Sequence, residues 1–273
     1  MRIGVLGCGG RMGRAVIETV LEEPGLELAG GIEAAGSPVL GQDLARLVGR
    51  EPIGRLAGDD PTDLFGSSDV VIEFSTAEAT ARHAELAAAA GVAHVIGTTA
   101  FSDDHDRRVR AAAERVPILR AANMSLGVNL LLGLAEQVAR ALPAEAFDAE
   151  IVEIHHRHKI DAPSGTALAL GDAVARGRAV DLGRVAERGR DGLTGARTTG
   201  AIGFAALRGG DAVGDHTVIF AGAGERIELT HRASDRRIYA RGAVRAARWV
   251  AGRPAGLYGM NDVLGLNLSG PAT

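Results

Sequence analysis

The sequence predicts an α/β fold: a doubly wound parallel sheet, followed by a smaller α+β part with a mixed sheet. Three observations predict it. Strand and helix patterns alternate over residues 2–120, a glycine turn joins the first strand to the first helix, and strand patterns crowd together over residues 149–232. Arg2 to Leu6 is a short, mainly apolar run that ends at a glycine, and the residues from Ala15 to Leu21 beyond it recur at helical spacing. Leu26 to Ile32 and Asp69 to Phe74 read as further strands, and Ala77 to Ala90 as an alanine-rich helix. Ala93 to Ile96 and Pro117 to Arg120 are strand-like, with a helix pattern from Ser102 to Arg115 between them. Right-handed crossovers between parallel strands need helices on both sheet faces.

A helix over Gly127 to Leu142 follows, with Val128, Leu131, Ala135 and Val138 on one face. Ala149 to His155, Thr198 to Leu207, Asp215 to Phe220 and Arg226 to Arg232 then read as strands. Turn signals stand at Gly209-Gly210 and Gly222-Ala223-Gly224. Asp235 is placed to cap a last helix through Val250. The charged stretch from Arg176 to Arg197 reads as an exposed, mobile loop, and the tail from Leu257 to Leu268 is polar and apolar by turns.

With 273 residues, 46% of them hydrophobic, the chain can bury the core of one large domain or two modest ones. A net charge of -4 supplies no basic field for nucleic acid, and 3% aromatics offer few stacking platforms. One cysteine excludes an intrachain disulfide. There is neither a signal-like leader nor an apolar run long enough to span a bilayer, so no membrane partner is expected and the cytoplasm is the expected location.

The turn Gly7-Cys8-Gly9-Gly10-Arg11-Met12-Gly13 follows a strand and opens a helix. One glycine permits the tight turn, one lets the backbone approach a pyrophosphate, and one allows the helix to pack close to the strand. Glu33 stands twenty residues after Gly13, just past the second strand, where a carboxylate accepts hydrogen bonds from ribose hydroxyls. Together these predict a Rossmann-like dinucleotide site. Gly97-Thr98-Thr99 and Ala121-Ala122-Asn123-Met124 also follow strands and belong at the carboxyl edge of the sheet, where ligands bind. Cys8 has two readings: a small packing residue, or a thiol whose pKa the helix N-terminus lowers and whose oxidation blocks cofactor binding.

The stretch EIHHRHKIDAPSGTALAL, from Glu153 to Leu170, concentrates positive charge at His155, His156, Arg157, His158 and Lys159, then opens a helix at Ser164, Gly165 and Thr166. Free N–H groups and the dipole at a helix start favour an anion, so a small polycarboxylate suits this pocket. Three histidines also raise the question of zinc. Neighbouring strand residues point to opposite faces, so no metal is expected. Glu153 and Asp161 could tune the histidine's pKa, but the simpler reading makes Glu153 a charge on the strand surface and Asp161 a helix-start residue.

The runs GCGGRMG, GTT, NMSLGVN, HHRHKIDAPSGTAL and GLYGMNDVLGL, in this order and spacing, resemble the dihydrodipicolinate reductase family over essentially the whole chain. The resemblance implies a discontinuous dinucleotide-binding domain of residues 1–125 and 236–273, a substrate-binding and tetramerisation domain of residues 126–235, closure about hinges between them, and a homotetramer. It implies NAD(P)H-dependent reduction of 4-hydroxy-tetrahydrodipicolinate to tetrahydrodipicolinate in lysine and diaminopimelate synthesis, with hydride passing from nicotinamide C4 to substrate C4. In this reading His155 donates the proton and Lys159 pairs with a substrate carboxylate. His156, Ser164, Gly165 and Thr166 complete the dicarboxylate site, Thr99 approaches from the dinucleotide domain, and Arg157 and His158 are supports. Ala34 stands where some relatives carry an arginine able to meet a 2'-phosphate, which favours NADH over NADPH, although Arg11 lies near the phosphates. The competing readings are an aspartate dehydrogenase-like enzyme and a non-catalytic dinucleotide sensor.

Overall fold

Ile3, Val5 and Leu6 of the first strand, β1 (Arg2–Leu6), have no solvent exposure, because helices cover both faces of the sheet around it. The computed structural model describes residues 1–266. A glycine turn leads from β1 into α1 (Arg11–Glu22), which returns the chain to β2 (Glu27–Ile32). After an irregular stretch come the edge strand β3 (Ala57–Gly58) and α2 (Pro61–Ser67), capped by Asp60, whose carboxylate accepts from Thr62 N. Next are β4 (Val70–Glu73) and α3 (Ala77–Ala90). Thr76 caps α3 at its start, and Gly91, at φ 71°, ends it. The alternation closes with β5 (Ala93–Ile96), α4 (Asp103–Ala113) behind a capping box of Ser102 and His105, and β6 (Pro117–Arg120).

Helix α5 (Leu126–Ala141) leads into a second unit. It contains β7 (Asp148–His155), α6 (Gly165–Gly177), α7 (Leu182–Val185), β8 (Ala186–Arg188), β9 (Ile202–Arg208), β10 (Gly214–Gly222) and β11 (Glu225–Ala233). The chain then rejoins the first unit through α8 (Arg237–Val250), β12 (Gly256–Tyr258) and α9 (Met260–Leu264).

The first sheet is parallel throughout, in the order β12-β6-β5-β4-β1-β2-β3. On one face Ile3 and Val5 pack with Val16 and Ile17 of α1 and Ala243 and Val244 of α8; on the other Leu6, Val71 and Ile96 pack with Ala84 of α3 and Val109 of α4. The second sheet is mixed, in the order β11-β10-β7-β9-β8: β10 runs antiparallel to β11 and β7, while β9 runs parallel to β7 and β8. Its inner face buries Ala149, Ile151, Phe204, Val218 and Phe220 with Leu131 and Ala135 of α5 and Leu170 and Val174 of α6.

The structure corrects part of the reading of the stretch from Arg176 to Arg197 as a loop: up to Arg188 it holds the end of α6, all of α7, and β8 paired with β9, while residues 189–197 form a largely exposed loop. Three of its arginines are tied inward. Arg197 reaches Asp148 (2.7 Å) and Glu150 (2.8 Å), Arg190 reaches Glu150 (2.9 Å) and Glu187 (2.6 Å), and the half-buried Arg178 donates to the carbonyl of Phe147. The strand expected from Thr198 begins only at Ile202, because residues 198–201 turn, with Ala201 N bonded back to Thr198 O. The first unit comprises Met1–Leu126 and Arg237–Leu264, the second is built on Gly127–Arg236, and Gly265 and Leu266 group with the second. The expected continuation of the tail through 267–273 lies outside the described residues.

Candidate active site

In the first unit the glycine turn is dictated by backbone contact. A Cβ at Gly13 would lie 2.0 Å from Gly7 O, and one at Gly7, which holds φ at +78°, would lie 2.4 Å from Phe74 O. Helix α1 opens on Gly10 without a side-chain cap, so its first N–H groups are available to an anion. Arg11 is exposed, and Met12 is half-buried against the core. Glu33 folds back to the turn: its Oε2 accepts from Gly9 N (2.8 Å) and its Oε1 from Ala34 N (3.1 Å). A cleft of about 800 Å³ runs past Gly7, Gly10, Glu33, Ala34 and Asp59 to Ser75 and Thr76. Bare backbone, an uncapped helix start and a carboxylate at the second strand end fit a dinucleotide.

Cys8 does not fit the reactive reading. Its side chain is wholly buried against Gly31, and burial, then the nearby Glu33 charge, push the thiol up to about 12. The packing reading holds.

Two further turns lie at the carboxyl edge. Thr98 is buried, its hydroxyl accepting from Ser75 N (3.1 Å) and joined to Thr80 Oγ1 (3.0 Å), whereas Thr99 is exposed. Gly97 must stay bare, since a Cβ there would meet the Phe74 ring at 2.1 Å. Asn123 Oδ1 accepts from Ser125 N (2.8 Å), Ala121 is half-buried, Ala122 is exposed, and Met124 is buried with its carbonyl against Gly242. Beneath these turns Glu73 is fully buried. Burial alone would raise its pKa, yet hydrogen bonds from His83 and His94 outweigh it and hold the carboxyl at about 2. Neither Glu73 nor its two histidines stood out in the sequence.

In the second unit the inward positions of β7 run Ala149, Ile151, Glu153, His155. The last two are polar. His155 Nδ1 lies 2.5 Å from Glu153 Oε2, and Arg208 grips the same carboxylate with both terminal nitrogens, at 2.8 Å and 2.9 Å. Glu153 is therefore no surface charge: it is 1% exposed, and the reading of it as a strand-surface residue is corrected. Burial favours its neutral form, but the bonds from Arg208 and His155 prevail and keep its pKa below the ordinary value. A carboxylate only accepts, so Nδ1 carries a hydrogen and Nε2 is left to act. A Cβ at Gly214 would stand 2.8 Å from that Nε2, so a bare residue there leaves it room.

Lys159 extends from the loop after β7, its ammonium held by both Asp161 oxygens (2.8 Å and 2.9 Å). Asp161 is thus a partner of Lys159, and the residue at the helix start is Ser164. Ser164 is buried: its hydroxyl accepts from Ala167 N (3.1 Å) and lies 2.9 Å from His216 Nε2, while its own N–H donates to Glu153 Oε1 (3.2 Å). Gly165 is exposed and Thr166 half-buried at the same helix start. His156 Nε2 lies 3.4 Å from Arg236, and burial and then that guanidinium lower its pKa. Arg157 and His158 are exposed. Among the described residues no group of His, Cys, Asp and Glu is placed to hold a metal ion, and no helix is long and apolar enough to cross a membrane.

Comparison with known proteins gives the family. The family model described as "Dihydrodipicolinate reductase, N-terminus" matches residues 1–124, and "Dihydrodipicolinate reductase, C-terminus" matches residues 127–264. The 4-hydroxy-tetrahydrodipicolinate reductase of Brucella abortus (strain 2308) is 52% identical over 98% of this chain and 100% of its own length, and that of Parvibaculum lavamentivorans is 55% identical over 97% and 98%. In fold the chain is similar to a dipicolinate-bound dihydrodipicolinate reductase from Paenisporosarcina sp. TG-14, with a TM-score of 0.78 and 23% identity over 96% of this chain and 98% of that one. The chain belongs to the dihydrodipicolinate reductase family of NAD(P)H-dependent oxidoreductases.

Proposed function

We propose that this chain reduces 4-hydroxy-tetrahydrodipicolinate to tetrahydrodipicolinate, the reductive step toward lysine and diaminopimelate, with His155 Nε2 as the proton donor. The observation that carries the assignment is the pair Glu153–His155: a buried carboxylate fixes Nδ1 and leaves the other nitrogen as the acid. A dinucleotide with its pyrophosphate at the Gly7–Gly13 turn and its ribose hydroxyls at Glu33 would supply the hydride from C4 of its reduced nicotinamide. The protein's own residues hold the substrate. Lys159 exchanges Asp161 for a substrate carboxylate, and the N–H groups at Gly165 and Thr166 meet the other carboxylate at the start of α6. Ser164 serves from behind, as the cap that fixes this helix start. His156, kept neutral beside Arg236, adds a hydrogen-bonding nitrogen, and Thr99 belongs to the same reading.

NADH is the proposed coenzyme. Glu33 and Asp59 both line the cleft beside the uncharged Ala34, so a 2'-phosphate would meet two carboxylates. Arg82, a cation in the same cleft wall, is held by Glu78 at 2.9 Å.

The test couples a dihydrodipicolinate synthase to the purified chain and follows oxidation of NADH and, separately, NADPH. Substrate-dependent oxidation is expected, with higher kcat/KM for NADH. His155→Gln should lower kcat about 100-fold or more. An idle intact chain would reject the reading in favour of a dinucleotide sensor, and aspartate-dependent reduction of NAD would favour the dehydrogenase alternative. Equal or better kcat/KM with NADPH removes the coenzyme assignment alone.

A further inference from the structure

We propose that Glu153 is the positioning residue that sets proton delivery and carboxylate capture together, acting through His155 on one side and the start of α6 on the other. This rests on the proton-donor reading of His155. Three elements converge on the one buried carboxylate. Oε2 receives His155 Nδ1 from β7 itself, Oε1 receives Ser164 N from the start of α6, and Arg208 at the end of β9 binds both oxygens. Arg208 also donates to Asp161 O (2.6 Å), so the carboxylate holds the loop between His155 and Ser164 at both ends. Displacing Glu153 would therefore move the acid and the anion-binding helix start at once. Its charge has a second effect: the carboxylate and the Arg208 guanidinium on the same oxygens place opposite charges beside the imidazole, so removing either one changes the field at His155 in the opposite sense to removing the other.

Other ionisable groups also lie around His155. On β10, His216 sits edge-on at 5.1 Å; burial and the His155 charge push it down to about 4, so it is uncharged near neutral pH. His231 of β11 pairs across from His216 and is likewise depressed, by burial. His156 and Lys159 lie in the loop after β7, with Asp161 neutralising the lysine. Near neutrality the opposed charges on His155 are therefore chiefly Glu153 and Arg208.

Removing each should shift the pH dependence in opposite directions. In Glu153→Gln the alkaline limb of the kcat profile should move to lower pH by about one unit or more, with kcat at neutral pH down about tenfold or more and substrate KM raised. In Arg208→Gln, which leaves the carboxylate charge in place, the limb should move to higher pH. NADH affinity, set in the first unit, should change in neither. A merely structural role for Glu153 would move both limbs the same way or neither, and would overturn the proposal. If Glu153→Gln does not fold, Glu153→Gln combined with Arg208→Gln leaves no lone buried charge. That double variant should keep its limb within about half a unit of the parent as the two effects cancel, and a downward shift as large as about one unit in it would also refute the idea. His155→Gln separates the two readings: if it stays active the proton-donor assignment fails, whereas if it is inactive while Glu153→Gln matches the parent, only the positioning role fails.

Discussion

At the scale of single residues, burial decides which polar groups can act. Burial decides between the two readings of Cys8 in favour of packing, and it overturns the reading of Glu153 as a surface charge. With its thiol at about 12 and no exposure, Cys8 should not react in the native protein. A disulfide-exchange reagent near pH 8 is expected to titrate no thiol before denaturation and one after it, with NADH affinity unchanged by the exposure; rapid native labelling would contradict this. Glu153 was legible in principle. Counting back by twos from His155 gives Glu153, Ile151 and Ala149 on one strand face, but the run Ile151-Val152-Glu153-Ile154 has too little alternation to say which face is buried. What the sequence could not show is Arg208, more than fifty residues on, whose bidentate grip makes burial of that carboxylate tolerable.

At the scale of elements, legibility followed local signals. Helix α3 was readable to its ends because Thr76, a run of alanines and Gly91 are start, body and stop. The strands β3, β8 and β12 have two or three residues each, too few for a period, and exist because a neighbouring strand pairs with them. The stretch around β8 reads as a loop because arginine-rich sequence usually means a solvated segment. Here Glu150 gathers Arg190 and Arg197 across β9, in space left by Gly203. A Cβ at Gly203 would fall 1.9 Å from Glu150 Oε2 and drive the carboxylate from its arginines. Gly203→Ala should therefore cost about 1–3 kcal/mol and expose the loop of residues 189–200. Trypsin is expected to cut after Arg190 or Arg197 in this variant well before it cuts the parent, and identical digestion patterns would count against the account.

At the scale of the whole molecule, the two units hold different parts of the proposed reaction: the glycine turn and its cleft in the first, the Glu153–His155 pair in the second. The mixed sheet buries one face under α5 and α6. Its other face presents Val152, Ile154, Ala205, Leu207 and Ile219, half-buried or exposed, a composition suited to protein contact. That face supports the proposed homotetramer. Light scattering should report four chains, and Ile219→Glu should report fewer; a monomeric parent would remove the proposal. Within this sheet, β7 divides its labour along its length. Ala149 and Ile151 fix its register in the core, and two residues later the same inward face carries the proposed acid and its counter-charge. Variation at the last two inward positions can therefore alter the chemistry while the first two continue to specify the fold, so that one eight-residue strand separates what selection must conserve for folding from what it can adjust for reactivity.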